Sequence, residues 1–112
     1  MKNKDKRHIE IIISYCDKIE MLLDEYDNDY LIFQESDSFQ LSTAMCVLQI
    51  GEYVSRLSDD FKIKNSQINW DLFKNMRNFI THQYEHVENY FIWSTLTEDI
   101  PKFKSDLKNI IF

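Results

Sequence analysis

The sequence predicts an all-α protein, an up-and-down bundle of four helices, and three observations lead there. The 112 residues include one glycine, Gly51, and one proline, Pro101. An all-β domain would need turn residues every ten or so positions. Apolar residues recur at alternating intervals of three and four, the repeat of a helix with one buried face. Hydrophobic residues make up 44% and charged residues 29%, which is enough apolar content for an ordinary core in a single domain spanning residues 1–112.

The first helix is expected over Asp5–Glu25, where Ile9, Ile12, Cys16, Ile19, Leu23 and Tyr26 form a narrow seam. "DNDYLIFQESDS" then reads as a connector in which Asp and Asn break the helix and Ser or Asp offers an N-cap. A second helix is expected over Phe39–Leu57, with Leu41, Ala44, Val47, Leu48, Ile50, Val54 and Leu57 on a wide apolar face. Gly51 interrupts it. A glycine in mid-helix costs about 1 kcal/mol relative to alanine, so it is expected to permit close approach of another backbone.

"SDDFKIKNSQ" reads as a second connector. Asn69 is the expected N-cap of a third helix opening "WDLFKNMRNFI", with Leu72, Phe73, Met76, Phe79 and Ile80 as its apolar face. A fourth helix follows a short break at "EHVEN" and carries Phe91, Ile92, Trp93, Leu96 and Ile100. Pro101 either kinks it or opens a fifth segment, "KFKSDLKNIIF".

Several function classes recede on composition. The net charge is −6 and the isoelectric point is near 4.9, which speaks against indiscriminate coating of nucleic acid. Cys16 and Cys46 match no metal or redox spacing and are expected to be buried free thiols. No secretory core or membrane span is visible, and a cytoplasmic protein is expected. His8 and His86 are expected on the surface.

The one cluster with chemical potential lies in "MRNFITHQYEHV", Met76 to Val87. A histidine titrates near neutral pH and can move a proton to or from a ribose hydroxyl or a leaving oxygen. An arginine fork suits a phosphate that gains charge in the transition state. Arg77 and Tyr84 lie within about 20° of each other around a regular helix, whereas His82 lies about 140° from Arg77. One intact helix therefore does not converge all three. Either the helix loosens before His82 or two copies of the chain assemble the site around a two-fold axis. On residue types alone, an Arg–His pair five apart is also what the polar face of an ordinary helix presents.

Arg77, four residues, His82, one residue and Tyr84 together resemble the R-x4-H-x-Y signature of the HepT-like toxins of the HEPN superfamily. "IGEYVSRLSDDFK", "INWDLFKNMRN" and "IWSTLTEDIP" resemble further blocks of that family in the same order. The resemblance implies a homodimeric helical bundle with the Arg–His motif lining a cleft at the dimer interface. It implies a ribonuclease toxin acting on an RNA such as tRNA or mRNA, needing neither metal nor cofactor. The partner it implies is an MntA-like nucleotidyltransferase antitoxin of a HEPN–MNT pair, which transfers AMP from ATP onto the motif tyrosine. Carried over, Arg77 and His82 would be catalytic, Asn78 supporting and Tyr84 the modified residue. Glu52 is either a solvated helix residue or the group that orients Arg77. A competing expectation is a non-catalytic HEPN subunit that binds a nucleotidyltransferase. An oligomeric helical scaffold would leave the matched blocks unexplained.

Overall fold

The computed structural model describes residues 3–83, 88–110 and 112, and the described chain is helical throughout, with no strand. The first helix, α1, spans Asn3–Glu25. Asp27 and Asn28 follow with φ of 61° and 52°, the left-handed conformation that Asp and Asn tolerate best after glycine. Their turn ends α1, and the Asn28 N–H closes it on the Leu23 carbonyl at 2.7 Å.

The connector predicted between the first two long helices holds a short helix of its own, α2, Tyr30–Glu35. Asp29 caps it by accepting from the Leu31 and Ile32 N–H groups at 2.8 and 3.3 Å. Its purpose is Phe33, fully buried and 5.1 Å from the ring of Phe39. Six residues are fewer than two turns, so no apolar repeat could announce this element.

Ser36 caps α3, Asp37–Arg56, through its hydroxyl and the Phe39 N–H. A second short helix, α4, Asp59–Lys64, occupies the other predicted connector and buries Phe61. The third long helix, α5, runs over Trp70–Gln83. The fourth long element begins as α6, Asn89–Ser94, widens into a π-turn over Thr95–Asp99, and continues as α7, Ile100–Lys108. Pro101 therefore sits in the first turn of α7, on a helical run that does not break. The widened turn lies just upstream, where a proline ring would meet the carbonyl four residues back.

Helix α3 lies between α1 and α5, and α7 packs on α1. Phe73 of α5 stacks on Phe103 of α7 at 4.0 Å, which closes the bundle. Lys104 of α7 reaches Asp17 and Glu20 of α1 at 2.6 and 3.0 Å. Ile9, Ile12, Cys16, Ile19 and Leu23 are buried as the seam predicts, and Tyr26 stacks on Phe39 at 4.3 Å. Both cysteines are free and buried. Burial pushes the Cys16 thiol up to about 12 and raises that of Cys46, so neither is a nucleophile at neutral pH.

Three apolar residues depart from the predicted faces: Leu41, Phe79 and Phe91 are exposed. Leu41 lies about 120° around α3 from the buried Val47, and Phe79 stands in the same relation to Phe73. A wide apolar arc overestimates what a neighbouring helix can cover.

His8 is also a correction, because it is buried and not on the surface. It sits on the seam of α1, one turn before Ile12 and one after Asp5, with its ring edge-on to Tyr53 of α3 at 5.5 Å. Its Nδ1 is buried and has no hydrogen-bond partner among the described residues. Burial, followed by Lys4 and Arg56, lowers its pKa. Nearby, the buried Asp5 accepts from the Ser58 N–H at 2.9 Å and the Ser58 hydroxyl at 2.7 Å, tying the start of α1 to the corner after α3. His86 lies outside the described residues. No helix among the described residues is long and apolar enough to cross a membrane.

Candidate active site

The site is built where α5 crosses α3. Asn69 starts α5 as predicted, its side-chain oxygen accepting from the Leu72 N–H at 3.2 Å. The Trp70 indole N–H donates to the Asn65 carbonyl at 3.1 Å, and Phe73, Met76 and Ile80 are buried. These contacts fix the rotation of α5 about its own axis, and with it the direction of every side chain that follows.

Gly51 of α3 then sets the distance between the helices. A Cβ on this residue would stand 2.5 Å from Cβ of Arg77 and 2.8 Å from the Phe73 carbonyl oxygen. Any side chain there would force a shift of α5 against α3. The close approach expected of the mid-helix glycine is thus made by α5, at the arginine of the motif.

The next residue of α3 grips that arginine. Glu52 Oε1 lies 3.2 Å from Arg77 Nη1, with the two side chains 44% and 23% exposed. On its other edge Arg77 donates from Nε and Nη2 to Asn78 Oδ1, at 3.3 and 3.0 Å. The guanidinium is therefore held from two sides, by a carboxylate on the neighbouring helix and by an amide on its own. A fork fixed in this way has lost its rotamer freedom before any phosphate arrives.

Asn78 resolves the angular gap between the two motif residues. It lies about 100° from Arg77 and about 40° from His82 around the helix. Arg77 bends towards it, and Asn78 and His82 line one open depression of about 400 Å³ together with Asn75 and Phe79. Arg77 and His82 themselves make no direct contact. Glu52, Arg77 and Asn78 form one hydrogen-bonded series whose last member shares a hollow with the exposed His82.

Tyr84 lies outside the described residues. No cluster of His, Cys, Asp or Glu among the described residues has the arrangement of a metal site. A second depression of about 470 Å³, between α4 and the start of α5, contains none of the predicted residues. Asn75 and Phe79 were not singled out for chemistry in the sequence. Asn75 stands three residues before Asn78 and Phe79 three before His82, and that helical spacing carried the signal.

Comparison with known proteins decides the family. Residues 12–110 match the family described as "Ribonuclease HepT-like". The chain belongs to that family, within the HEPN superfamily. The HepT-like chain is 29% identical over 110 residues to a protein of Methanocaldococcus jannaschii named as a putative RNase, covering 98% of this chain and 93% of the relative. It is 27% identical over 110 residues to a probable ribonuclease HepT of Thermococcus cleftensis, covering 98% of each. A shorter match, 34% over 62 residues and 55% of each chain, joins it to another protein named as a putative RNase, from Caldanaerobacter subterraneus. No solved structure matches. Ribonuclease chemistry is thus the activity for which the family is named.

Proposed function

We propose that this HepT-like chain is the toxin of a HEPN–MNT toxin–antitoxin pair, a ribonuclease in which Arg77 and His82 carry the chemistry. The observation that supports this most is the grip of Glu52 and Asn78 on Arg77, with Asn78 also lining the hollow that contains His82. In the proposed reaction the guanidinium takes the non-bridging oxygens of the scissile phosphate and stabilises the charge they gain. The imidazole moves a proton at the attacking hydroxyl or at the leaving oxygen, a contribution of about 10²–10⁴-fold. Neither step calls for a metal. Asn78 holds the guanidinium through its Oδ1, and its own amide N–H groups are offered to the phosphate. A homodimer would bring two Arg77–His82 pairs to one axis and enclose the RNA between them.

The proposed off-switch is AMP on Tyr84, placed there by an MntA-like nucleotidyltransferase. Two residues beyond His82, the adduct would set a phosphate and a base where the RNA would bind. Expression of the chain alone is expected to arrest growth, and Arg77→Ala to relieve the arrest. Co-expression with the nucleotidyltransferase is expected to add mass in AMP-sized steps at Tyr84 and to add none to Tyr84→Phe. An AMP adduct of full stoichiometry on Tyr84→Phe would place the acceptor elsewhere. The net charge of −6 favours a second reading, a non-catalytic subunit that binds the nucleotidyltransferase. Unaltered growth and no RNA cleavage by the free protein would support that reading over the toxin.

A further inference from the structure

We propose that the hollow on the outer face of α5 is a nucleobase subsite, in which Phe79 stacks on, and Asn75 reads, a base beside the RNA bond that His82 acts on. The inference rests on the ribonuclease reading and adds to it a means of choosing where to cut.

Asn75, Asn78, Phe79 and His82 fall within an arc of about 100° and span about 10 Å along the helix axis. They line one depression of about 400 Å³, roomy enough for a splayed-out base and its sugar. Phe79 is 45% exposed, although Met76 and Ile80 on either side of it are buried. Among the described residues its ring has no aromatic neighbour. A phenyl face left open beside polar groups is the platform on which single-stranded RNA stacks its bases.

The two amides are in different states. Asn78 Oδ1 is committed to Arg77, whereas the exposed side chain of Asn75 makes no hydrogen bond to another described residue. Asn75 therefore offers a donor and an acceptor in one plane, the pattern that meets N6–H and N7 of adenine. Among the described residues, no carboxylate lines the hollow. The geometry thus separates two tasks on one helix: Arg77 faces α3 and takes the phosphate, and Asn75 and Phe79 face outward and take the base.

The test is cleavage of a random-sequence single-stranded RNA library, with the base at each cut end read by sequencing. Wild type is expected to favour adenine at one position next to the cut. In Asn75→Ala that preference, expressed as a ratio to the other three bases, should fall about tenfold. Phe79→Ala should raise KM about tenfold for all four bases and change kcat far less. Fluorescence anisotropy of labelled A-, C-, G- and U-containing oligonucleotides on His82→Ala gives a second readout that needs no turnover. There, adding Asn75→Ala should remove the discrimination. A wild type with no base preference, or an Asn75→Ala protein that keeps it in both assays, overturns the proposal. So does an Asn75→Ala or Phe79→Ala protein that changes only its molecular mass by sedimentation, since the face would then belong to a second copy. Cleavage by His82→Ala at the wild-type rate would instead sink the assignment of the chemistry to His82 and leave the anisotropy result to judge the subsite alone.

Discussion

Helix α3 has two working sides, and they are built on different principles. Towards α1 it presents Cys46 and Tyr53, against Cys16 and the buried His8. That contact is nearly all apolar. Its histidine has a ring nitrogen with no partner among the described residues, and its thiols are held protonated by burial. Towards α5 it presents Gly51 and Glu52, where a missing side chain and a half-exposed carboxylate seat one arginine. The first side contributes stability and offers nothing to a substrate. The second gives up a side chain and part of an ion pair to solvent, and gains a guanidinium fixed at the edge of an open hollow. Within one helix, packing and chemistry point in nearly opposite directions, about 160° apart.

Substitutions on the two sides should therefore separate folding from cleavage. The largest stability effect belongs to the α1 side. Ile12→Ala should cost about 2–5 kcal/mol, measured by denaturant unfolding, and leave cleavage per folded molecule unchanged. If it lowered that rate as much as a change at Glu52 does, the two sides would not be independent. Gly51→Ala should cost about 1–3 kcal/mol, because its new Cβ would meet Cβ of Arg77 and a carbonyl of α5. Unlike Ile12→Ala it should also lower cleavage by the protein that remains folded. Glu52→Gln is the converse case. An exposed pair is worth only about 0.2–1 kcal/mol, so the melting temperature should hardly move. The looser arginine should lower kcat by up to about 10-fold.

The smallest effect is a pH dependence on the α1 side. Burial depresses the pKa of His8 below its ordinary 6.5, so the folded protein prefers the neutral ring. As the pH falls below about 6.5, the unfolded chain takes up a proton that the folded one resists. Stability contributed by neutral His8 is complete above that pH and declines below it. Melting temperatures between pH 8 and 5 should show the decline, and His8→Phe should flatten it by about a few degrees at most.

Much of this was legible in the sequence, and the exceptions share a cause. The seam of α1, the Asn69 cap, the buried cysteines and the close approach at Gly51 follow from spacing and residue type. Helices α2 and α4 did not show, because six residues do not complete an apolar repeat. Leu41, Phe79 and Phe91 were placed inward because a helical wheel gives the direction of a side chain but not the width of its neighbour. His8 was placed outward by its polarity, although its position between Asp5 and Ile12 lies on the buried seam. At the site, the sequence yielded Arg77, Asn78 and His82 as a resemblance and Glu52 as an open choice. The contact between Glu52 and Arg77 joins positions 25 residues apart, which only the packing of α3 on α5 could bring together.

The most direct test of the site is single-turnover cleavage of RNA in EDTA by wild type, Arg77→Ala and His82→Ala, with melting curves matched. Wild type should cut without added metal. Both variants should keep its melting temperature and lose about 10²–10⁴-fold in rate. Wild-type rates from either folded variant would show that the arginine gripped by Glu52 and Asn78, or the histidine beside it, is not where this chain breaks RNA.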